Sequence, residues 1–437
     1  MQARKATSTQ TSSKIPPRIY STKSPPSLSD FASLCSKTVT CDDFPLSSEV
    51  ICNVPIYDLS KLRLEKTFTS ALQAEWHYIL FSGPGVLILK NMYQDKGLLE
   101  RVNQVYQSVI ASEKENPSKG DHFSSASTND RIWNSFGKHG ILDPESFVEY
   151  YSNPWLAMIC DSWLGPAYRI TAQVNVVRPG GAAQVSHRDY HLGFQTAEAC
   201  ERFPIHMQIA SQLLTLQGAI AHSHMPVDSG STRLLPFSQQ FHEGYMAYRL
   251  PEFTQYFLEH FVSLPLSLGD GLFFNPALFH AAGENRTRDI VRNANLLQVS
   301  SAFGKPMESL DSISLVERCW GTLRKKFDKE GASNHMEAIV AAIAEGYPFP
   351  TNLDRRPPAP GGMAPESEQD LVRRGLRDNW DVKQITDAMM QVKKGSESWN
   401  LPWNLISRSF TFAGCEWMQG GRPRFPGRGK TKGSSVK

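Results

Sequence analysis

Hydrophobic spacing along the chain changes period twice, and the changes mark out its elements. In "KTFTSALQAEWHYILFSGPGVLILKN" apolar residues recur at helical intervals, a Gly-Pro-Gly break follows, and the run Val86–Lys90 reads as a strand. Next, Leu98, Leu99, Val102, Val105, Tyr106, Val109 and Ile110 fall on one face of a predicted helix, a stripe suited to core packing. From 170 to 303 the runs shorten: "ITAQVNVV", "AQVSHRDYH", "LLTLQGAIAH", "TRLLPFS", "LPLSLGDGLFFNPALFHAAG" and "NANLLQVSSAF", separated by Gly, Pro, Asn and Asp. Many short strands with turn signals predict a closed or sandwiched antiparallel β structure. After 308 the text is helical again in "LDSISLVERCWGTLRKKF", "HMEAIVAAIAEG" and "QDLVRRGLRDNWDVKQITDAMMQV". The expected fold class is mainly β with flanking helices (α+β), in one domain over 46–350.

The remaining stretches are polar and rich in Pro, Ser and Gly. They predict a disordered basic leader over 1–45, a Pro-rich linker over 351–370, a C-terminal helical extension over 371–420 and a disordered basic tail over 421–437. Charge matters once it is divided along the chain. The net charge is +3, but residues 1–29 and 421–437 hold eleven bases and no acid, so the body 30–420 carries eight more acids than bases. A nucleic-acid-binding surface on the folded body is therefore not expected. No apolar run approaches the roughly 20 residues of a membrane span. Seven scattered cysteines without a CxxC pair predict free thiols in a reducing compartment. The expected location is cytoplasmic. The acid-free leader resembles a mitochondrial presequence, but Pro16, Pro17, Pro25 and Pro26 would break the helix that import needs. Oligomeric state is left open.

Candidate chemistry sits in "QVSHRDYHLGF". His187 and Asp189 are two apart, so on an extended chain they share a face and can reach one ion. A third ligand is offered by His280, at the end of the apolar strand that follows the Gly-Asp-Gly turn in "GDGLFFNPALFHAAGENRTRD". Two imidazoles and one carboxylate are the ligand set of non-haem Fe(II) oxygenases, whereas zinc prefers a nearly closed shell of N and S donors. Arg292, beside the strand "NANLLQVSS", is a natural clamp for a carboxylate, and an iron site with such a clamp invites an oxo-acid co-substrate.

Three segments resemble the phytanoyl-CoA dioxygenase family of Fe(II)- and 2-oxoglutarate-dependent oxygenases: "NVVRPGGAAQVSHRDYH", "MPVDSGSTRLLPFSQQF" and "LSLGDGLFFNPALFHAAGENRTRDIVRNANLLQVS". They span 170–303 in the family's order, and "GPGVLILKN" is similar to its opening strand. The resemblance implies a double-stranded β-helix (jelly-roll, cupin-like), with iron on His187, Asp189 and His280. It implies 2-oxoglutarate on the iron with its far carboxylate on Arg292, helped by Thr232, with Gln173 and Gln184 as polar wall residues. The turn between His280 and Arg292 is about one residue longer than the family's common form, which leaves Arg286 and Arg288 as rival clamps.

With O2, the implied reaction decarboxylates 2-oxoglutarate to succinate and CO2 and removes hydrogen from an unactivated C–H bond. Hydroxylation is the default outcome, with desaturation and ring formation as variants. Asp189 occupies the place that halogenating members leave vacant, which disfavours halogenation. The expected substrate is a small hydrophobic metabolite. Two other readings are a catalytically silent β-barrel binding module and a zinc hydrolase built on His187, Asp189 and His191.

Other residues have plainer expected roles. His191 continues the alternation and could replace His187 as ligand; the family pattern favours His187, which leaves His191 on the substrate side or in a structural hydrogen bond, while Tyr190 points the other way, to core or substrate wall. His222 and His224 read as strand-end polar residues and Asp270 as a turn former. The polar loop 121–140, with Trp133 and Phe136, can cover the site or be ordinary surface.

Overall fold

The computed structural model describes residues 15–114, 129–349 and 352–397. Its centre is an eight-stranded sheet in the order β1-β2-β3-β8-β6-β10-β5-β4. The strands are β1 (Glu49–Ile51), β2 (Val54–Asp58), β3 (Val86–Lys90), β4 (Asp130–Ile132), β5 (Arg169–Val177), β6 (Thr215–Ala221), β8 (Gly271–Phe274) and β10 (Arg292–Ser300). A second sheet pairs β7 (Arg233–Leu235) with β9 (Phe279–Ala281). Isolated bridges His187–His280 and Leu234–Val262 widen it on either side. The two sheets make a double-stranded β-helix.

Register fixes what each face of the large sheet carries. Leu297, Ala172, Gly218 and Phe273 are paired across β10, β5, β6 and β8, so they share one face. With Val174, Ile220 and Leu87 that face packs against the flanking helices in one large core. Gly218 is required there, because a Cβ would come within 2.6 Å of the Phe273 ring. The residues between them face the interior of the β-helix. At the β2–β3–β8 side this interior is apolar, with Ile56, Val86, Ile88, Leu272 and Phe274 meeting Leu234 and Leu278 from across the barrel. At the β5–β4 side it turns polar, because Gln173, Asn175, Gln217, Gln298, Arg292 and Arg131 stand in the same inward rows.

Helices cover the outer face of the large sheet. The expected helix before the Gly-Pro-Gly break is Lys66–Phe81, and the next stripe forms Lys96–Lys114. Three helices that spacing did not single out, Ser135–Leu142, Pro144–Tyr151 and Pro154–Leu164, lie between β4 and β5.

The boundaries differ from expectation at both ends. Residues 1–14 of the leader lie outside the described residues, but Leu28–Cys35 is a helix capped by Ser27. Its Phe31 is fully buried against Phe241, Phe253 and Phe279, so tertiary packing overrides a Pro- and Ser-rich composition. Within the expected linker, a short turn at Pro360–Gly362 leads to Ser367, which caps the helix Glu368–Arg377 in a reciprocal capping box with Asp370. That helix and Val382–Ser396 bury Leu371, Val372, Leu376, Ile385 and Met389 in the main core. The described part of the expected C-terminal extension is thus integral to the domain. The expected tail 421–437 and Cys415 lie outside the described residues. Among the described residues no helix is long and apolar enough to cross a membrane, and the six described cysteines are free.

Candidate metal centre

His187 and His280 are opposed across a single antiparallel bridge, each backbone N–H donating to the other's carbonyl at 2.9 and 3.1 Å. The segment 184–189 is extended but forms no continuous strand. It is stitched to β9 and its approach by Gln184 N–H to Ala282 O, His187 N–H to His280 O and Asp189 N–H to Pro276 O. This places one ligand atom each from His187, Asp189 and His280 within 4.8 Å of one another.

Both imidazoles are oriented the same way. Nδ1 of His187 meets the Val185 carbonyl at 2.9 Å, and Nδ1 of His280 meets that of Leu278 at 2.8 Å. A carbonyl accepts from Nδ1–H and leaves Nε2 free for a metal. His187 Nε2 lies 3.6 Å from Asp189 Oδ1, and His280 Nε2 lies 3.4 Å from Asp189 Oδ2. Among the described residues the buried Nε2 of His280 has no hydrogen-bond partner. Burial, with the His280 ring beside it, pushes the His187 imidazole below its ordinary pKa and favours the neutral form. Burial opposes ionisation of Asp189, but the His187 and His280 imidazoles and the Gln217 amide outweigh it and hold its carboxyl well below the usual range. Two imidazole lone pairs converging on a carboxylate is an arrangement that a divalent cation completes.

Gln217, which spacing did not single out, donates from Nε2 to Asp189 Oδ2 at 2.7 Å. It shares an inward row with Gln298, whose Oε1 accepts from Gln173 Nε2 at 3.3 Å. Gln173 Oε1 in turn accepts from Arg131 at 3.1 Å. Among the described residues Gln217 Oε1 and Asn175 Oδ1 are buried without partners. The signal for Gln217 was its odd-position spacing within β6, which alternation alone does not distinguish from packing.

Of the three arginines weighed as clamp, Arg286 is exposed and paired with Asp228 at 2.6 Å, and Arg288 is exposed. Arg292 is 4% exposed, opens β10 and donates from Nη1 to the Gly230 carbonyl. Its Nε has no partner, and among the described residues no carboxylate pairs with it. Burial, with the Arg131 guanidinium nearby, lowers its pKa to about 10, which still leaves it charged. An anion is what this cation lacks.

The other candidates are placed as follows. Thr232 precedes β7 and, by alternation with Leu234, shares the face that Leu234 presents beside His280; its carbonyl accepts from Ser263. Gln184 Oε1 accepts from Ala282 N–H at 3.2 Å, so that amide helps hold the extended segment to β9. Tyr190 is buried, and among the described residues its hydroxyl has no partner. His191 leaves the alternation, because Tyr190 and His191 take φ of 63° and 39° and the chain turns into His191–Phe194. It falls outside the three-residue cluster, which the zinc-hydrolase reading required it to join. His222 is buried between Tyr150 at 2.9 Å and Asn103 at 2.8 Å, and His224 is exposed. Asp270 accepts from the Ser267 and Asn91 amides, as a turn former does. Phe136 packs in the core against Phe147 and Tyr151, so it covers no site, while 121–128 lie outside the described residues.

The sequence model described as Phytanoyl-CoA dioxygenase (PhyH) matches residues 81–294, the span that holds all three converging side chains and Arg292. Over residues 81–294 the chain is similar to the phytanoyl-CoA dioxygenase family. A curated relative, Dioxygenase cdmD of Talaromyces verruculosus, is 26% identical over 177 residues, 39% of this chain and 53% of the relative. The chain thus spans about half the length of that protein. Similar solved structures include the non-heme alpha ketoglutarate dependent carbocyclase SnoK from nogalamycin biosynthesis, at 18% identity and TM-score 0.39, covering 55% of this chain and 85% of that one. The epimerase SnoN from the same biosynthesis is 17% identical with TM-score 0.35, covering 55% and 84%.

Proposed function

We propose that this protein is a phytanoyl-CoA dioxygenase family member and an Fe(II)- and 2-oxoglutarate-dependent dioxygenase that hydroxylates an unactivated C–H bond of a small hydrophobic metabolite. The observation that carries this reading is the convergence of His187, Asp189 and His280 within 4.8 Å, in the same interior as the unneutralised guanidinium of Arg292. The donor set suits Fe(II), and the uncompensated buried cation suits a carboxylate. When bound, iron with 2-oxoglutarate and O2 supplies an oxidant strong enough to take hydrogen from carbon, leaving succinate and CO2.

The chain's own residues have distinct tasks in this scheme. Gln217 fixes one oxygen of Asp189, and the carbonyls of Val185 and Leu278 fix the two imidazoles. Arg292 and Thr232 hold the far end of the oxo-acid, and Gln173 and Gln184 contribute amides to the polar wall and the segment that frames it. Phe274, Leu234 and Leu278 keep the opposite side of the interior dry. Tyr190 and His191, just after Asp189, border the substrate side.

The test is anaerobic reconstitution with Fe(II) and 2-oxoglutarate, then a metabolite-pool screen for O2-dependent succinate release. The expected result is release that rises with one substrate class and disappears in Asp189→Ala. A protein that works when loaded with zinc and ignores 2-oxoglutarate sinks the proposal.

A further inference from the structure

Arg188 stands between two of the converging side chains yet faces away from both. Extended backbone sends it to the opposite side of the segment, where it is 1% exposed. There Nη2 donates to the carbonyls of Ser238 at 2.8 Å, Phe241 at 2.9 Å and, more weakly, Gln239 at 3.4 Å. The guanidinium lies 5.1 Å from the Tyr245 ring and 5.4 Å from that of Phe279, the neighbour of His280. Gly244 gives it room, since a Cβ there would stand 1.9 Å from Cζ. Among the described residues Nε and Nη1 have no partners and no carboxylate pairs with Arg188.

A buried cation without a counter-ion is a poor stability device, and an apolar side chain would fill the same space among these rings. What Arg188 does supply is connection. The segment 184–189 has one ladder pair and no continuous strand. Among the described residues its backbone bonds run to β9 and its neighbours, and nothing in that ladder sets the rotation of the segment about its own axis. Arg188 ties the segment to a third element, the turn at 238–241, and stacks on the residue beside His280.

We propose that Arg188 is a positioning residue: by fastening the backbone between His187 and Asp189 to the 238–241 carbonyls and to Phe279, it aims both ligand side chains at His280 before metal arrives. This rests on the metal reading above.

The experiment measures anaerobic Fe(II) affinity by calorimetry alongside thermal stability for wild type, Arg188→Met, Arg188→Lys and Gly244→Ala. Phe253→Leu, in the apolar cluster behind β9, serves as the control for general destabilisation. Arg188→Met is expected to weaken Fe(II) binding by about 10- to 100-fold, the usual cost of losing a residue that holds a ligand. Arg188→Lys recovers part of it, and Gly244→Ala, which crowds the guanidinium without removing its charge, weakens binding in the same direction. The proposal is overturned if Arg188→Met and Gly244→Ala bind Fe(II) as wild type does, or if Phe253→Leu loses as much affinity at an equal loss of stability. Should Arg188→Met fail to fold, Gly244→Ala and Arg188→Lys decide on the same terms. Wild-type protein that binds no Fe(II) overturns the metal reading and this assignment with it; tight wild-type binding with indifferent variants overturns this assignment alone.

Discussion

The amide of Gln217 donates to Asp189 Oδ2 at 2.7 Å, so the carboxylate that faces two imidazoles is held from β6, on the opposite sheet. Gln217→Leu keeps the volume and removes the donor. Fe(II) affinity is expected to fall by about 10- to 100-fold with the fold intact. Calorimetry checks this, and an unchanged dissociation constant would show that Asp189 holds its place without help.

Arg292 should act on the co-substrate and not on the metal. Losing a charge-assisted hydrogen bond costs about 1.5–3 kcal/mol, so Arg292→Met should raise the KM for 2-oxoglutarate by about 10- to 150-fold. Fe(II) affinity should stay near wild type. Arg286→Ala and Arg288→Ala, both at exposed positions, should leave that KM alone. A larger effect from either than from Arg292→Met would move the clamp.

Two histidines away from the site should make stability depend on pH. Burial lowers the pKa of His139 from 6.5 to about 4 and that of His222 to about 3. Both are therefore neutral in the native state at pH values where the unfolded chain takes up protons. Stability falls as pH drops through 6.5, and the His139 contribution levels off near 4. Each site changes stability by at most about 1.4 kcal/mol per pH unit. Urea midpoints across this window should fall less steeply in His222→Gln than in wild type; parallel slopes would remove His222 from the account.

Phe31 is ringed by Phe241, Phe253, Tyr256 and Phe279 at centroid distances of 4.8 to 5.5 Å. Phe31→Ala should cost about 3–5 kcal/mol, read as a shift of the denaturation midpoint. A cost below about 0.5 kcal/mol, the scale of an ordinary surface substitution, would return this helix to the disordered leader that composition predicts.

What could be read beforehand and what could not separate by range of interaction. The convergence of His187, Asp189 and His280 could be anticipated from residue type, strand alternation and the family resemblance, whereas Arg292 stood as one of three rival clamps. Lys66–Phe81 and Val86–Lys90 were legible, because the period is unbroken and a Gly-Pro-Gly break divides them. Gln217 and Arg188 were not, because nothing in "LLTLQGAIAH" or "SHRDYH" says which distant carbonyl or carboxylate a side chain will meet. The same holds for Phe31, whose local text is polar and punctuated, and for the burial of Leu371 to Met389: the helices there were readable, but only the partners supplied by 241–279 and by the helix Ser312–Glu330 turn these segments into core.

The left-handed pair Tyr190 and His191 has a consequence for coordination number. Had the backbone remained extended for two more residues, the alternation that aligns 187 with 189 would have carried a further imidazole toward the same point. By veering off immediately after Asp189, the polypeptide caps its own contribution at three donors, and on the oxygenase reading that is what keeps room for an oxo-acid and a gas molecule. Two backbone torsions, at residues with no glycine to ease them, thus stand between a reactive centre and a sealed one.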